Sequence, residues 1–64
     1  MTTRAIAVVE VQRALGARAR RWLMLRDADG NVLTSVLFDT LTEAEVVARL
    51  SAELHGVAPP RVRR

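Results

Sequence analysis

The hydrophobic positions of the chain fall into three short runs followed by one helical stripe. Ala5-Ile6-Ala7-Val8-Val9-Glu10-Val11 is rich in β-branched side chains, whose stiff χ1 suits a pleated surface better than a helix, and so predicts a first strand. Trp22-Leu23-Met24-Leu25-Arg26 predicts a second strand, apolar on both faces, entered through the basic connection Gly16-Ala17-Arg18-Ala19-Arg20-Arg21. Asp27-Ala28-Asp29-Gly30-Asn31 reads as a hairpin with a three-residue loop in which Gly30 takes the left-handed conformation. That turn sets a register, with Asp27 opposite Asn31, Met24 opposite Thr34 and Trp22 opposite Val36. Alternation then gathers Trp22, Met24, Val32, Thr34, Val36 and Phe38 on one face, and Leu23, Leu25, Leu33, Ser35 and Leu37 on the other.

The helix carries its own start and stop signals. Thr42 is placed as N-cap, Glu45 completes a capping box three residues on, and Leu41 can staple against Val46. Glu43 and Glu45 suit the positive end of the helix dipole, and His55 and Gly56 suit the C-terminal cap. The helix is therefore predicted from Glu43 to about Leu54, with Val46, Val47, Leu50 and Leu54 as its apolar stripe. Beyond Gly56, Val57-Ala58-Pro59-Pro60-Arg61-Val62-Arg63-Arg64 cannot continue a helix and is expected to be extended and mobile. The expected fold is α+β, a small three-stranded antiparallel sheet with one C-terminal helix packed on one face (βββα). Residues 1–57 would form the single domain and residues 58–64 a flexible Pro/Arg-rich tail. The place of the first strand, beside the second or at the opposite edge, is left open by the pattern.

This arrangement has an energetic consequence. One helix covers one face, and the face with Trp22, Val36 and Phe38 is its natural partner. The other face would present Leu23, Leu25, Leu33 and Leu37, where a half-solvated sheet normally alternates into polar residues. Burying each such side chain is worth roughly 1.5–3 kcal/mol, which for four approaches the net stability of a domain. A contiguous apolar patch of that kind marks a protein contact. The expectation is a homodimer across the sheet faces or docking on a foreign protein. The alternative is that the first strand or the segment from Val57 to Val62 folds over the leucines.

Composition narrows the classes. With 64 residues the chain is one domain, of a size that buries only about 60% of its unfolded surface and needs some supplement to its core. There is no cysteine and one histidine, His55, so neither a disulfide nor a zinc site supplies it, and oligomerisation or a partner remains. Half of the residues are hydrophobic, which excludes a disordered tail, and the longest apolar stretch, Ala5 to Val9, is far too short to span a bilayer. Arg4, the apolar run and Ala17-Arg18-Ala19 faintly imitate a targeting peptide, but Glu10, Gln12 and Arg13 interrupt it, so the chain reads as cytoplasmic and uncleaved.

No catalytic constellation is present. Asp27, Asp29 and Asn31 have the opening spacing of a calcium loop, but the glycine comes too early and Phe38 stands where a bidentate glutamate is needed. Ser51 and His55 lie one helical turn apart with no oriented acid beside them. The chain is read as a non-enzyme without metal, cofactor or small-molecule substrate.

All ten basic residues are arginine and the net charge is +3. Arg18, Arg20, Arg21 and Arg26 around the second strand, with Arg61, Arg63 and Arg64 at the end, form a basic rim that could grip phosphate or an acidic protein, or keep an apolar domain soluble. Exclusive use of arginine, beside abundant alanine and valine, is also what a GC-rich genome imposes.

The segment from Trp22 to Leu54, about half of the chain, resembles the arm-type DNA-binding domain at the N-terminus of phage tyrosine recombinases. The resemblance rests on the tryptophan-bearing strand, Arg26-Asp27-Ala28-Asp29-Gly30, the strand ending Phe38-Asp39-Thr40, and Thr42-Glu43-Ala44-Glu45 opening a helix. It implies a three-stranded sheet with one helix behind it, whose outer face enters the DNA major groove. Asn31-Val32-Leu33-Thr34-Ser35-Val36-Leu37 departs from that family's basic, hydroxyl-rich strand and offers neither phosphate neutralisation nor base-edge donors beyond Asn, Thr and Ser. The leading expectation is therefore a non-catalytic protein-interaction module. It has the size and character of phage-encoded modulators that dock on or block larger proteins, inhibitors of CRISPR effectors among them, and DNA binding is the second reading.

Overall fold

The computed structural model describes residues 5–16 and 19–63. In chain order these form β1 (Val8–Arg13), β2 (Arg21–Arg26), β3 (Val32–Phe38), α1 (Leu41–His55) and β4 (Arg61–Arg63). The class is α+β, and the sheet is mixed, with strand order β3-β2-β1-β4. β1 lies beside β2 and both consecutive pairs are antiparallel. The fourth strand corrects the three-stranded expectation. Residues 61–63 are extended, as Pro59 and Pro60 favour, but their backbone also finds the free edge of β1, aligning Arg61 with Glu10 and Val62 with Val11 in parallel. A parallel pairing needs a long return connection, which α1 supplies.

The hairpin turn forms on the residues that signal it. Gly30 has φ 88°, and the buried Asp27 accepts backbone N–H groups of Asp29 and Asn31 on Oδ1, each at 2.9 Å. These bonds hold Arg26 opposite Val32. One step further the register shifts, so that Leu25 pairs with Thr34, Met24 with Ser35, Leu23 with Val36 and Trp22 with Leu37. The expected pairs Met24–Thr34 and Trp22–Val36 do not form, because one extra residue on β3 sends every later side chain to the opposite face. The shift has a physical reason in β1. Val9 and Val11 pair with Leu25 and Leu23, and the displaced register brings Val36 and Phe38 onto that same face without disturbing the turn.

Val9, Val11 and Leu23 form one buried cluster with Ala44, Ala48 and Ala52 of α1, and Ile6, Leu25, Phe38, Leu41, Val47 and Val57 pack against it. The helix thus turns a stripe of alanines at spacing four toward the strands, not the expected stripe of Val46, Leu50 and Leu54. Small side chains let a helix axis approach a valine-rich sheet closely, and the larger residues are left on the flank: Leu50 is 60% and Leu54 81% exposed. Val47 alone of the expected stripe is half-buried.

The helix also starts earlier than its sequence signal placed it. Thr40, in extended conformation, is the N-cap, its Oγ1 accepting from the N–H of Glu43 at 3.2 Å. Thr40-x-x-Glu43 repeats the capping pattern of Thr42-x-x-Glu45, and the earlier start brings Leu41 into the helix against the core. Gly56, at φ 65°, closes the helix in the left-handed conformation.

Candidate interaction surface

The two faces of the sheet follow from the register. One carries Val9, Val11, Leu23, Leu25, Thr34, Val36 and Phe38; the other carries Glu10, Gln12, Trp22, Met24, Arg26, Ser35 and Leu37. Leu33, in step with Ser35 and Leu37, belongs with the second. The four-leucine face of the sequence reading is therefore divided. Leu23 is buried and Leu25 half-buried in the core, whereas Leu33 and Leu37 lie on the opposite face and are exposed. Trp22, placed by the sequence under the helix, stands half-buried between Gln12 and Leu37 on that opposite face.

The apolar surface left open gathers around β3. That strand forms one edge of the sheet and is exposed from Val32 through Leu37, with Phe38 half-buried. It shows Leu33 and Leu37 on one face and Val36 on the other, and it contains no charged residue. Of β1, β2 and β3, the last makes the least contact with α1. An open groove of about 340 Å³, lined by Phe38, Thr42, Glu43, Val46 and Val47, runs between the end of β3 and the helix. The exposed Val46, Leu50 and Leu54 continue from it along one flank of α1. Sequence reasoning missed Val32 and Val36 as surface residues and mistook the helix flank for core. The signal that could have found the flank is the Ala44-Ala48-Ala52 spacing.

Among the described residues, Arg20, Arg21, Arg26 and Arg63 make contacts within the chain. Glu10 is buried on its face of β1, where its carboxylate accepts from Gln12 Nε2 and meets Arg26 at 3.7 Å and Arg63 at 3.3 Å. Three neighbouring strands thus converge on one carboxylate, which ties β4 to the sheet. Arg26 also donates to the Gly30 carbonyl at 2.8 Å, and Arg20 lies 3.6 Å from Asp39 with both side chains in water. Arg21 donates to the Arg20 carbonyl, and Arg61 is exposed. Arg18 and Arg64 of the expected rim lie outside the described residues, as does Arg4. The remaining members do not make one continuous strip, since Arg20 and Arg21 stand at the opposite end of β2 from Arg26.

Glu10→Gln removes the charge while keeping the shape. It is expected to cost about 1 kcal/mol, the worth of a charge-assisted contact whose cationic partners can turn to water. The loss should be local, with backbone amides of Val62 and Arg63 exchanging with solvent faster and those of β2 unchanged. Unaltered protection of β4 would show that backbone pairing alone holds it.

Among the described residues no group of three His, Asp or Glu side chains is placed to hold a metal ion, and no helix is long and apolar enough to cross a membrane. Comparison with family models, with curated proteins and with solved structures finds no match to the chain.

Proposed function

We propose that this chain is a non-catalytic protein-interaction module whose working surface is the β3 side of the domain. α1 packs on Val9, Val11 and Leu23 and makes more contact with β1 and β2 than with β3. The observation that carries the reading is a seven-residue, uncharged strand at a sheet edge, exposed along all but its last residue. An edge strand offers a row of unpaired N–H and C=O groups, and proteins that must stay apart blunt such edges with lysine, proline or short length. β3 has neither lysine nor proline and is not short; its one interruption is the extra residue beside Val32, and both of its faces carry large apolar side chains beside Thr34 and Ser35. Leu33, Leu37 and Val36 would each gain part of the roughly 1.5–3 kcal/mol of full burial on meeting a partner. A small domain with such a surface suits a modulator that docks on a larger protein and blocks or tethers it, as phage-encoded inhibitors do.

DNA binding through the outer sheet face, the reading drawn from the arm-type resemblance, has less support. Arg26 and Arg63 of that face already serve Glu10, and phosphate contacts need free cations.

Photo-crosslinking in cells tests the proposal. A photoreactive phenylalanine analogue in place of Ser35, on exposed β3, is expected to give adducts with protein, whereas the same residue in place of the exposed Arg49 is expected to give none. Adducts to nucleic acid at position 35, or no adducts there, would overturn it.

A further inference from the structure

We propose that Arg13 and Arg21 form a binding site for an oxyanion, a phosphate group or a carboxylate, at the opposite end of β2 from the Asp27–Gly30 turn.

The cross-strand ladder on the helix side of the sheet leads to the site. Val9 faces Leu25, Val11 faces Leu23, and the next pair in the same alternation is Arg13 facing Arg21. Two apolar pairs of the core are thus followed by two cations directly opposite each other. Arg21 in turn faces Phe38 of β3, so the row across the three strands reads Phe38, Arg21, Arg13.

Among the described residues no acidic side chain pairs with Arg13, which is exposed. The acids that could compensate it are committed elsewhere. Asp39, which follows Phe38, lies 3.6 Å from Arg20, and Glu10 stands on the other face with Arg26 and Arg63. Arg21 is half-buried, and its Nη1 donates to the Arg20 carbonyl at 2.9 Å, which holds this guanidinium in place. The backbone fixes the spacing as well, because the Ala14 N–H donates to the same carbonyl at 3.1 Å and ties the two strands together just beyond the pair.

Like charges directly opposite each other on neighbouring strands destabilise the pairing. An anion between them removes that cost, and the partial burial of Arg21 makes the attraction stronger than it would be in open water. The guanidinium fork matches a carboxylate or a phosphate with parallel N–H donors. A ligand with two or more oxygens sharing the negative charge therefore fits the pair, and chloride does not.

The test is the melting temperature in chloride, acetate and phosphate, at pH 7 and equal ionic strength, for the wild type, Arg13→Gln and Arg49→Gln. Both substitutions remove one positive charge from an exposed residue, Arg49 lying on α1. In chloride, Arg13→Gln is expected to melt about 2–4 °C above the wild type, because the opposed cations are gone, and Arg49→Gln is expected to bring no such rise. Phosphate is expected to raise the wild type and Arg49→Gln by about 2–4 °C more than it raises Arg13→Gln, a difference in which the general effect of phosphate on folded proteins cancels. A matching response to acetate would admit carboxylates as ligands, and a response to phosphate alone would restrict the site to phosphate groups; either supports an oxyanion site. Equal responses of the wild type and Arg13→Gln to both anions, loss of the response in Arg49→Gln as well, or an Arg13→Gln chain that melts below the wild type in chloride would overturn the proposal. Photo-crosslinking from β3 does not read this site, so the interaction module and the oxyanion site stand or fall separately.

Discussion

Leu23→Ala is expected to destabilise the domain by about 2–5 kcal/mol, the range for a buried leucine whose cavity cannot collapse. Leu23 is 3% exposed and belongs to the central buried cluster with Val9, Val11 and three alanines of α1. Its neighbours sit on two strands and a helix, so relaxation into the void would require moving all three elements. A domain of this size has little to spare, net stabilities being only about 5–15 kcal/mol. The substitution should therefore lower the urea midpoint drastically or abolish the cooperative transition. Leu37→Ala provides the contrast, because Leu37 is 39% exposed on the opposite face and its truncation is expected to cost less than about 1 kcal/mol. Equal losses at the two positions would mean that the leucines share one face after all and that the register shift beside Leu25 does not exist in solution.

Ala48→Leu is expected to cost about 1–3 kcal/mol through overpacking. Ala48 has no exposed surface and lies midway along the stripe of Ala44, Ala48 and Ala52. A larger side chain there must either adopt a strained rotamer or lift the helix from the strands, which would uncover Val9 and Val11. For a domain of 60–100 residues each kcal/mol moves the melting temperature by about 4–8 °C, so the shift is readily read in a thermal scan. Leu50→Ala, on the exposed flank, is expected to change stability by no more than about 0.5 kcal/mol. The ordering is the reverse of what hydrophobicity would assign, since the leucine looks like core and the alanine like filler. If Leu50→Ala proves the costlier change, the helix in solution is rotated about its axis so that Leu50, not Ala48, faces the strands.

These two substitutions also mark where local signals stop determining the fold. The turn at Asp27 to Gly30 was legible because its chemistry is contained within five consecutive residues. The closing glycine of the helix was legible for the same reason. The capping pattern was present twice, at Thr40 and at Thr42, and the choice depended on whether Leu41 could reach the core, which is a tertiary matter. The register beyond the turn depended on Val9 and Val11, residues far away in the chain. A hairpin read by itself has no means of anticipating that they would draw Val36 and Phe38 to their face. β4 was hidden for a similar reason, because three residues after two prolines carry no strand signal of their own and become a strand only on meeting the edge of β1. The expectation of an unusual apolar surface arose from the excess of large aliphatic residues over what one helix can cover. The positions that form that surface did not follow, because the alanine stripe placed the helix differently. Arginine clusters seen along the chain likewise told little about free charge, since Glu10 collects Arg26 and Arg63 from strands on either side of β1.

The two margins of the sheet are unlike each other, and the difference would limit how far any edge-to-edge association could proceed. One margin is β3, long and uncharged; the other is β4, three residues with Arg61 and Arg63 among them. Two β4 margins brought together would oppose arginine to arginine, and a β3 margin meeting a β4 margin would leave most of its length unmatched. The one long, uncharged margin is therefore β3. Head-to-tail addition, the route by which open sheets grow into fibres, would need β4 to accept a second chain, and three residues with two arginines among them offer it little to pair with.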